Sequence, residues 1–217
     1  MTDRPSPSIH SRKKPQQARA EELVAAILQA SVQVLAKEGA HRFTTARVAE
    51  KAGVSVGSLY QYFPNKASIL FRLQSDEWRQ TNALLRDILQ DRRTAPLLRL
   101  RRLVHAFVRS ECDEAAVRGA LGDAAPLYRD APEAREAKAL GKNAIEVFMR
   151  EALPDTAEDT RSLATDLVTA TLSGVGKDFS MRPRPAAEID AFADALADML
   201  CAYLETIAGR KKRMRSG

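Results

Sequence analysis

The chain has 217 residues, of which 45% are hydrophobic and 29% charged, a composition typical of a folded domain in water. No uninterrupted apolar run approaches the ~20 residues of a membrane-spanning helix, and no apolar stretch follows the first basic residues, so we expect a cytoplasmic protein without membrane contact. The two cysteines, Cys112 and Cys201, have no Cys or His neighbours at metal-ligand spacing, and we expect reduced, buried thiols, no metal site and no cofactor.

The net charge of +6 is concentrated at the two ends of the chain. Residues 1–20 carry a net charge of +4 and residues 210–217 a net charge of +5, which leaves −3 for the chain between them. We therefore expect a basic, disordered arm at residues 1–16 and a basic tail at residues 209–217, with a mildly acidic body between them.

The first predicted element is an amphipathic helix from Gln17 to Glu38. Its apolar residues recur at intervals of three and four, which places them on one face of a helix. Gly39 is predicted to end this helix. The residues on this face are Val24, Ile27, Leu28, Ser31, Val34 and Leu35.

Two short helices and a tight turn are predicted between Phe43 and Lys66. Thr44 and Thr45 precede a periodic run, so that a side-chain oxygen can accept a hydrogen bond from the free amide groups of a helix start. After that run, Gly53 can take the left-handed conformation that ends a helix at a sharp angle. This order of elements is typical of a helix-turn-helix.

The second of these helices, Val56 to Tyr62, has the properties of a recognition helix. Ser55 is its candidate N-cap, and Pro64 stops it. A helix that reads base edges in the major groove of DNA is short, approaches with its N-terminal end and exposes small or polar groups. We predict that the residues facing base edges are Val56, Gly57, Ser58 and Gln61.

Hydroxyl and cationic groups around this helix are suited to phosphate contacts. Tyr60 and Tyr62 carry hydroxyls on rigid rings, and Lys66 begins the next helix, where free amide groups already favour an anion. Arg47 is either a further phosphate contact or a solvated surface charge. The predicted DNA-binding set is Thr45, Arg47, Ser55, Val56, Gly57, Ser58, Tyr60, Gln61, Tyr62 and Lys66.

The string TTARVAEKAGVSVGSLYQYFPNK, from Thr44 to Lys66, closely resembles the TetR family of bacterial transcriptional regulators. The family pattern T-T-x-x-[VI]-A-x-x-A-G-V-S-x-G-[ST]-L-Y-x-[YH]-F-x-[NS]-K runs through this segment without a gap. The alternative is a helical hairpin in which the cap, turn glycine, tyrosines and lysine fall in this order by coincidence.

The resemblance implies an all-α fold with an N-terminal three-helix DNA-binding domain and a C-terminal helical domain for ligand binding and dimerisation. We accordingly expect a DNA-binding domain at residues 17–66 and a regulatory domain at 67–208. The basic arm ahead of them either neutralises phosphates or is a solvated tail. The role of the C-terminal tail stays open. The basic residues placed for phosphate contact at the N-terminus are Arg12, Lys13, Lys14 and Arg19.

Helices are predicted throughout the rest of the chain, with no alternating segment of the kind that a strand needs. The first runs from Lys66 to about Gln90, the second from Leu97 to Val117, and the third from Pro132 to Leu153. The segment from Gly119 to Pro126 is predicted to be a loop, because its glycines and proline disfavour a helix.

The last two predicted helices, Ala157 to Gly176 and Ala186 to Ala208, have apolar faces broader than one core contact requires. In the TetR family such a pair forms a four-helix bundle with the partner's pair. The alternative is that both helices only close the core of a monomer. The predicted interface residues are Leu167, Thr171, Leu172, Phe192, Leu196, Met199, Leu200 and Tyr203.

Family members of this kind usually repress transcription until a small ligand enters the regulatory domain. Aromatic and polar side chains within the predicted helices are the candidates for ligand contact, although each is also compatible with an ordinary core or surface position. They are Trp78, His105, Phe107, Tyr128, Asn143 and Phe148. A redox role for Cys112 is a weaker possibility.

The sequence does not favour an enzyme, and no catalytic residues are predicted. It has no nucleophile elbow, no glycine-rich phosphate loop and no metal-ligand spacing. We therefore predict a homodimeric, ligand-responsive repressor that leaves a palindromic DNA operator when a small-molecule effector binds. The alternative function is that of a ligand-independent DNA-binding or architectural protein.

Overall fold

A computed structural model describes the backbone of residues 18–128 and 130–215, and side chains as far as Gly209. The predicted arm at residues 1–16 lies outside these residues. The described chain is helical without strands, which confirms the all-α class. The helices are α1 Ala18–Arg42, α2 Thr45–Ala52, α3 Val56–Tyr62, α4 Lys66–Leu89, α5 Pro96–Asp113, α6 Ala115–Ala124, α7 Pro132–Ala152, α8 Glu158–Ser180 and α9 Ala186–Arg215, with a 3-10 helix at Ala125–Leu127.

The predicted helix starts and stops around the turn are confirmed. The backbone amide of Arg47 donates to the Thr44 hydroxyl, and that of Ser58 donates to the Ser55 hydroxyl at 3.0 Å. Gly53 ends α2 in the left-handed conformation, with φ 67° and ψ 29°. Because these groups satisfy the free amides and carbonyls at the helix ends, two helices this short are stable beside each other.

The end of α1 is interrupted at Gly39, as the sequence predicts. Its φ of 72° and ψ of 173° are not helical, although the helix is assigned through to Arg42. By length and apolar composition α1 is also the one described helix that meets the criteria for crossing a membrane. Core helices of soluble proteins meet the same criteria, and Ile27 and Leu35 of α1 are buried in the core.

By packing, the chain divides into two compact units. The first unit contains the described residues up to Arg79 together with residues 116–135, and the second contains residues 80–115 and 136 onward. The predicted boundary at residue 66 between a DNA-binding and a regulatory domain stays a prediction; by packing, the first unit continues along α4 to Arg79 and includes a segment much later in the chain. The core of the first unit combines Val48, Leu59 and Phe63 with Leu121 and Tyr128.

The second unit is built from α5, α8, α9 and parts of α4 and α7. α5 packs against both α8 and α9, and its Leu103, Val104 and Val108 are fully buried. These three residues recur at helical spacing on one face. Phe148 and Met149 of α7 close the same core.

Two predictions about residues 97–126 are wrong. The segment from Gly119 to Pro126 is mostly helix, because Leu121 and Ala124 pack into the core of the first unit while Gly119 and Gly122 stay exposed. Tertiary packing thus outweighs the low helix propensity of glycine. The predicted helix from Leu97 to Val117 is two helices, since α5 ends at Asp113 and α6 begins at Ala115.

The last helix is longer than predicted. Its backbone is helical to Arg215, which takes it through most of the predicted tail at residues 209–217. α8 also continues past the predicted end at Gly176 to Ser180. Residues 181–185, which contain the RPRP sequence, separate the two helices.

Gly53→Ala should lower the free energy of unfolding by about 1 to 2 kcal/mol, because a side chain disfavours the left-handed backbone found there. Gly119→Ala is the matched control. It adds the same methyl group inside α6, where nothing lies within 4 Å, and should raise the free energy of unfolding by about 0.5 to 1 kcal/mol. Urea denaturation followed by circular dichroism checks both values; equal effects would contradict the assigned turn.

Candidate DNA-binding surface and ligand groove

The two faces of α3 have opposite exposure. Leu59 is fully buried, and Phe63 just after the helix is buried as well. Val56 and Tyr60 keep 39% and 40% of their surface exposed. Gly57 and Gln61 are exposed beside them. The exposed face of α3 is therefore an open surface with the residue types predicted to meet DNA.

Hydrogen bonds hold the polar groups of this surface in place. The hydroxyl oxygens of Tyr60 and Thr45 are 3.1 Å apart, which links α3 to the first turn of α2. Those of Ser55 and Ser58 are 2.8 Å apart. Since one hydroxyl proton is used within the serine pair, the other stays available for an outside acceptor. Hydrogen bonds within the protein thus orient four of the predicted DNA-contacting residues, which are Thr45, Ser55, Ser58 and Tyr60.

Arg47 contacts a residue that was not predicted from the sequence. Its guanidinium forms an ion pair with Glu38 at the end of α1. Arg47 keeps 44% of its side chain exposed, so a phosphate would have to share or replace the Glu38 carboxylate. No sequence spacing reveals this pair, because the two residues belong to different helices.

Lys66 stands exposed at the start of α4, as predicted. The side-chain oxygen of Asn65 accepts the backbone amide of Ser68 at 2.9 Å, so Asn65 caps this helix. A helix start attracts anions through its free amides and its dipole. Tyr62 is half-buried nearby, packed against the core of the first unit. The surface from Thr45 to Lys66 therefore presents hydroxyl, amide and cationic groups, which are the group types that contact phosphates in protein–DNA complexes.

Two of the six predicted ligand residues come together in the second unit. Asn143 and Phe148 of α7 line a groove with a volume of about 410 Å³, whose opposite wall is the end of α4. We call it the α4–α7 groove. Its lining is Asn82, Arg86, Leu89, Gln90, Arg92, Leu140, Asn143, Ala144, Val147, Phe148 and Glu151.

The other predicted ligand residues lie elsewhere. Trp78 and Tyr128 belong to the first unit, where each packs against Phe71, with centroid separations of 6.4 and 5.7 Å. Burial raises the pKa of the Tyr128 hydroxyl far above its usual range, and this hydroxyl donates to the Leu121 carbonyl at 2.9 Å. Both aromatic residues are accounted for by packing within the first unit.

His105 and Phe107 lie on α5, apart from the groove lining. His105 Nε2 is 3.0 Å from an Asp194 carboxylate oxygen of α9, within a row of surface ion pairs that also joins Arg109 to Asp190. Phe107 packs beside Gly176, where an added Cβ would approach the ring to 3.0 Å. Each side chain therefore joins α5 to a neighbouring helix.

An arginine behind the groove was not singled out in the sequence. Arg99 is fully buried, and its guanidinium donates to the carbonyl of Leu89 and to the carboxylate of Glu151. It also lies 5.5 Å from the centre of the Phe148 ring. Position 99 is one turn before Leu103 on the apolar face of α5, which is the one signal of burial that the sequence contains.

The predicted dimer residues divide into three groups by exposure. Leu172, Leu196 and Leu200 are buried in the core of their own chain, whereas Leu167 and Met199 keep 45% and 54% of their surface exposed. A further set is half-buried and consists of Thr171, Phe192 and Tyr203. Two exposed residues of α8 that were not predicted for the interface extend the apolar row, and they are Leu163 and Val175.

Burial raises the pKa of the Cys112 thiol, and the carboxylates of Asp113 and Glu111 raise it further, while Arg184 lowers it. Because the thiolate is the reactive form, this environment disfavours a redox role. No group of three or more His, Cys, Asp or Glu in the described part of the chain is placed to hold a metal ion.

Comparison with known proteins assigns the two halves of the chain to one family. Residues 27–73 match the model described as "Bacterial regulatory proteins, tetR family", and residues 95–207 match "Tetracyclin repressor-like, C-terminal domain". The first match contains the whole helix-turn-helix and the second contains most of the second unit.

Curated relatives match over short stretches. The fatty acid metabolism regulator protein of Bacillus subtilis is 33% identical over 69 residues, which are 32% of this chain and 36% of the relative. The nucleoid occlusion factor SlmA of Vibrio campbellii is 55% identical over 42 residues, 19% of this chain and 21% of the relative. The chain thus matches about a third of the length of the first relative and about a fifth of the length of the second.

Solved structures match over most of the chain. FadR from Bacillus subtilis, crystallised with stearoyl-CoA, has a TM-score of 0.62 at 17% identity, with 82% of this chain and 97% of that chain covered. Identity this low shows a shared fold alone. The two family matches, together with this shared fold, identify the chain as a member of the TetR family of DNA-binding transcriptional regulators.

Proposed function

We propose that the protein is a cytoplasmic, homodimeric repressor, without enzymatic activity, that binds a palindromic DNA operator and leaves it when a small-molecule effector binds the second unit. The observation that carries this proposal is the exposed face of α3, on which Val56, Gly57, Tyr60 and Gln61 stand on a helix anchored by buried Leu59. This face stays open to solvent at Gly57 and Gln61 and in part at Val56 and Tyr60, so that it can meet a partner molecule.

Residues on this face have two different tasks. Gly57 and Gln61, with Ser58, are placed to meet base edges, because small groups allow a close approach and an amide pairs with adenine. Tyr60, Thr45 and Lys66 carry hydroxyls and a charge suited to phosphates, which position the protein without reading sequence. Arg47 joins this second set by exchanging Glu38 for a phosphate.

The size of the recognition helix and the exposed apolar side chains of α8 and α9 support dimerisation. A single seven-residue helix contacts few bases, whereas a two-fold dimer presents two helices to half-sites about 34 to 36 Å apart. Leu163, Leu167 and Met199 are large, apolar and exposed. A row of this kind on a helix beside the core supports an interface with a second copy.

Release by an effector requires that the ligand bind two states of the protein with different affinity. The α4–α7 groove supports this step, since one of its walls is the last part of α4, the helix that begins with Lys66. A volume of about 410 Å³ lies within the range of about 300 to 1,000 Å³ typical of small-molecule sites.

The second candidate function is DNA binding without an effector. The similarity to a nucleoid occlusion factor over 42 residues favours it, because that protein's name describes a role on the nucleoid. The two functions are separated by an effector screen on the DNA-bound protein. Release by any small molecule in the groove supports the repressor, and unchanged binding throughout supports the alternative.

The first test of the proposed function is a gel-shift titration with the DNA immediately upstream of the coding region, in the presence of nonspecific competitor. We expect a discrete complex at nanomolar protein, as for specific regulators in general. Binding only at micromolar protein, without sequence preference, would contradict operator recognition at this DNA.

Gly57→Ala should separate folding from DNA binding. The added Cβ would lie 3.7 Å from the Ser55 hydroxyl oxygen, an ordinary contact, so thermal stability should stay the same or rise. Operator affinity should fall about tenfold or more, equivalent to about 1.4 kcal/mol, because the methyl group stands at the DNA surface. Wild-type affinity for the operator would contradict a close approach at this position.

Lys66→Ala and Gln61→Ala should weaken binding in different ways. Loss of the lysine should reduce affinity for all sequences and lower the slope of log affinity against log salt by about 1. Loss of the glutamine should change the preferred base at one position in each half-site and leave the salt slope unchanged. Fluorescence anisotropy over a salt series and an operator-variant panel measures both; identical profiles would refute the separation of tasks.

Leu167→Glu should convert the dimer to a monomer. A carboxylate buried without a partner weakens an interface by about 3 to 5 kcal/mol, which is over a hundredfold in affinity. Leu98→Glu is the matched control, since Leu98 lies on α5 and has a similar exposure of 46%, against 45% for Leu167. Sedimentation equilibrium distinguishes them; a dimeric Leu167→Glu variant would exclude this face as the interface.

A further inference from the structure

The α4–α7 groove has one charged end and one largely apolar wall. Its two helices lie side by side in the same direction, because Asn82 of α4 donates to the Ala137 carbonyl of α7 at 3.0 Å, and Arg99 joins Leu89 to Glu151 further along both helices. The apolar wall comes from α7 and consists of Leu140, Ala144, Val147 and Phe148. The arrangement suits a ligand with a polar head and an apolar tail.

The charges lining the groove are mostly positive. Arg86 and Arg92 are the cationic lining residues, and Glu151 is the acidic one. Arg92 forms no ion pair with any residue that the structure describes, and Arg86 is only 3.8 Å from the carboxylate of its exposed neighbour Asp87. An anion entering this groove therefore meets cations with little competition, whereas a cationic ligand would be repelled.

A buried cation lies directly behind the charged end. Arg99 is 0% exposed, whereas its counter-ion Glu151 is 37% exposed at the rim of the groove. The Arg99 Nε atom is buried without a hydrogen-bond partner among the described residues. A buried guanidinium requires an anionic partner, but nothing requires that this partner be Glu151. The carboxylate of Glu151 is thus in a position that another anion can take.

We propose that the groove binds an amphiphilic anion, whose head displaces Glu151 from Arg99 and contacts Arg92 while its apolar tail lies along Leu140 and Val147. This inference rests on the proposed function, because it names the chemical class of the effector and the means by which the effector acts. Both free carboxylates and thioesters of a phosphorylated carrier have this chemistry, and the experiment below separates them.

The exchange changes what the end of α4 is attached to. Arg99 donates one hydrogen bond to the carbonyl of Leu89, the last residue of α4, and another to Glu151 of α7. In the free protein the guanidinium therefore ties α4 to α7. With the anion bound, the same guanidinium ties α4 to the ligand, and Glu151 turns to solvent. The ligand thus has the different contacts in two states that release from DNA requires.

Isothermal titration of the full-length protein with decanoate, below its micelle concentration and without DNA, tests the site. We expect one saturable site per chain. Decanol has the same tail without the charge and should bind at least about tenfold more weakly, because it offers Arg99 no charged partner. Equal affinity for decanoate and decanol would overturn the proposal.

Three variants locate the head of the ligand. Arg92→Gln should weaken decanoate binding about tenfold and leave decanol binding unchanged, since only the anion contacts this guanidinium. Arg93→Gln is the matched control, with the same charge change on the neighbouring residue outside the groove lining. Glu151→Gln should strengthen decanoate binding, because it removes the anion that competes for Arg99.

Equal effects of Arg92→Gln and Arg93→Gln, or weaker decanoate binding by a folded Glu151→Gln variant, would overturn the proposal. If Glu151→Gln does not fold, the comparison of decanoate binding by Arg92→Gln and by Arg93→Gln still tests the proposal. Decanoyl-CoA tests the source of the anion. If it binds more tightly than decanoate and Arg92→Gln lowers its affinity, the thioester is the source. If Arg92→Gln leaves the affinity for decanoyl-CoA unchanged, the site is assigned to the free carboxylate.

A gel shift on the same samples keeps this inference apart from the proposed function. Operator binding by the ligand-free protein tests the DNA-binding regulator, and decanoate binding in the calorimeter tests the groove. Decanoate that binds as expected but leaves the operator complex intact would overturn the exchange as the means of release. Failure to bind any operator, with decanoate bound normally, would overturn the proposed function and leave the anion site standing.

Discussion

The left-handed backbone at Gly53 determines how the DNA-binding surface is presented. With φ at 67°, the chain leaves α2 at a sharp angle and starts α3 only three residues later. Leu59 and Phe63 then reach the core from one side of α3, so that Tyr60 and Gln61 are directed outward. A different turn would rotate α3 and place apolar residues in solvent, and for this reason the turn and the core support each other.

The helix-turn-helix part of the first unit, from α2 to the start of α4, could be predicted from the sequence because its signals are local. Thr44, Ser55 and Asn65 each cap the helix that immediately follows, and a cap is recognised from a few neighbouring residues. The helical segment at Gly119 could not be predicted in this way. Its helix is stabilised by burial of Leu121 among residues distant in sequence, and such a contact outweighs local propensity.

The six candidate ligand residues stay predictions, and the sequence alone could not show which of them line the α4–α7 groove. An aromatic or amide residue in a helix can line a cavity or pack in a core. Tyr128 packs in the core of the first unit, whereas Phe148 packs in the core of the second unit and also lines the groove. Arg99 was missed because arginine is seldom buried, so that composition argues against the position it takes. Its burial depends on a carbonyl at the end of α4 and a carboxylate on α7, which no spacing within α5 reveals.

The same reasoning separates the two tasks of α8 and α9. Leu172 and Leu200 are buried in their own chain, whereas Leu167 and Met199 lie exposed on the same two helices. From sequence, all four belong to one broad apolar face, because a helical pattern shows which residues are apolar but not how many neighbours will cover them. In the proposed homodimer, the part of this face that its own core leaves open packs on the same face of a two-fold partner. The partner would also supply the second recognition helix, so that one proposed dimer accounts for both the exposed row on α8 and the exposed face of α3.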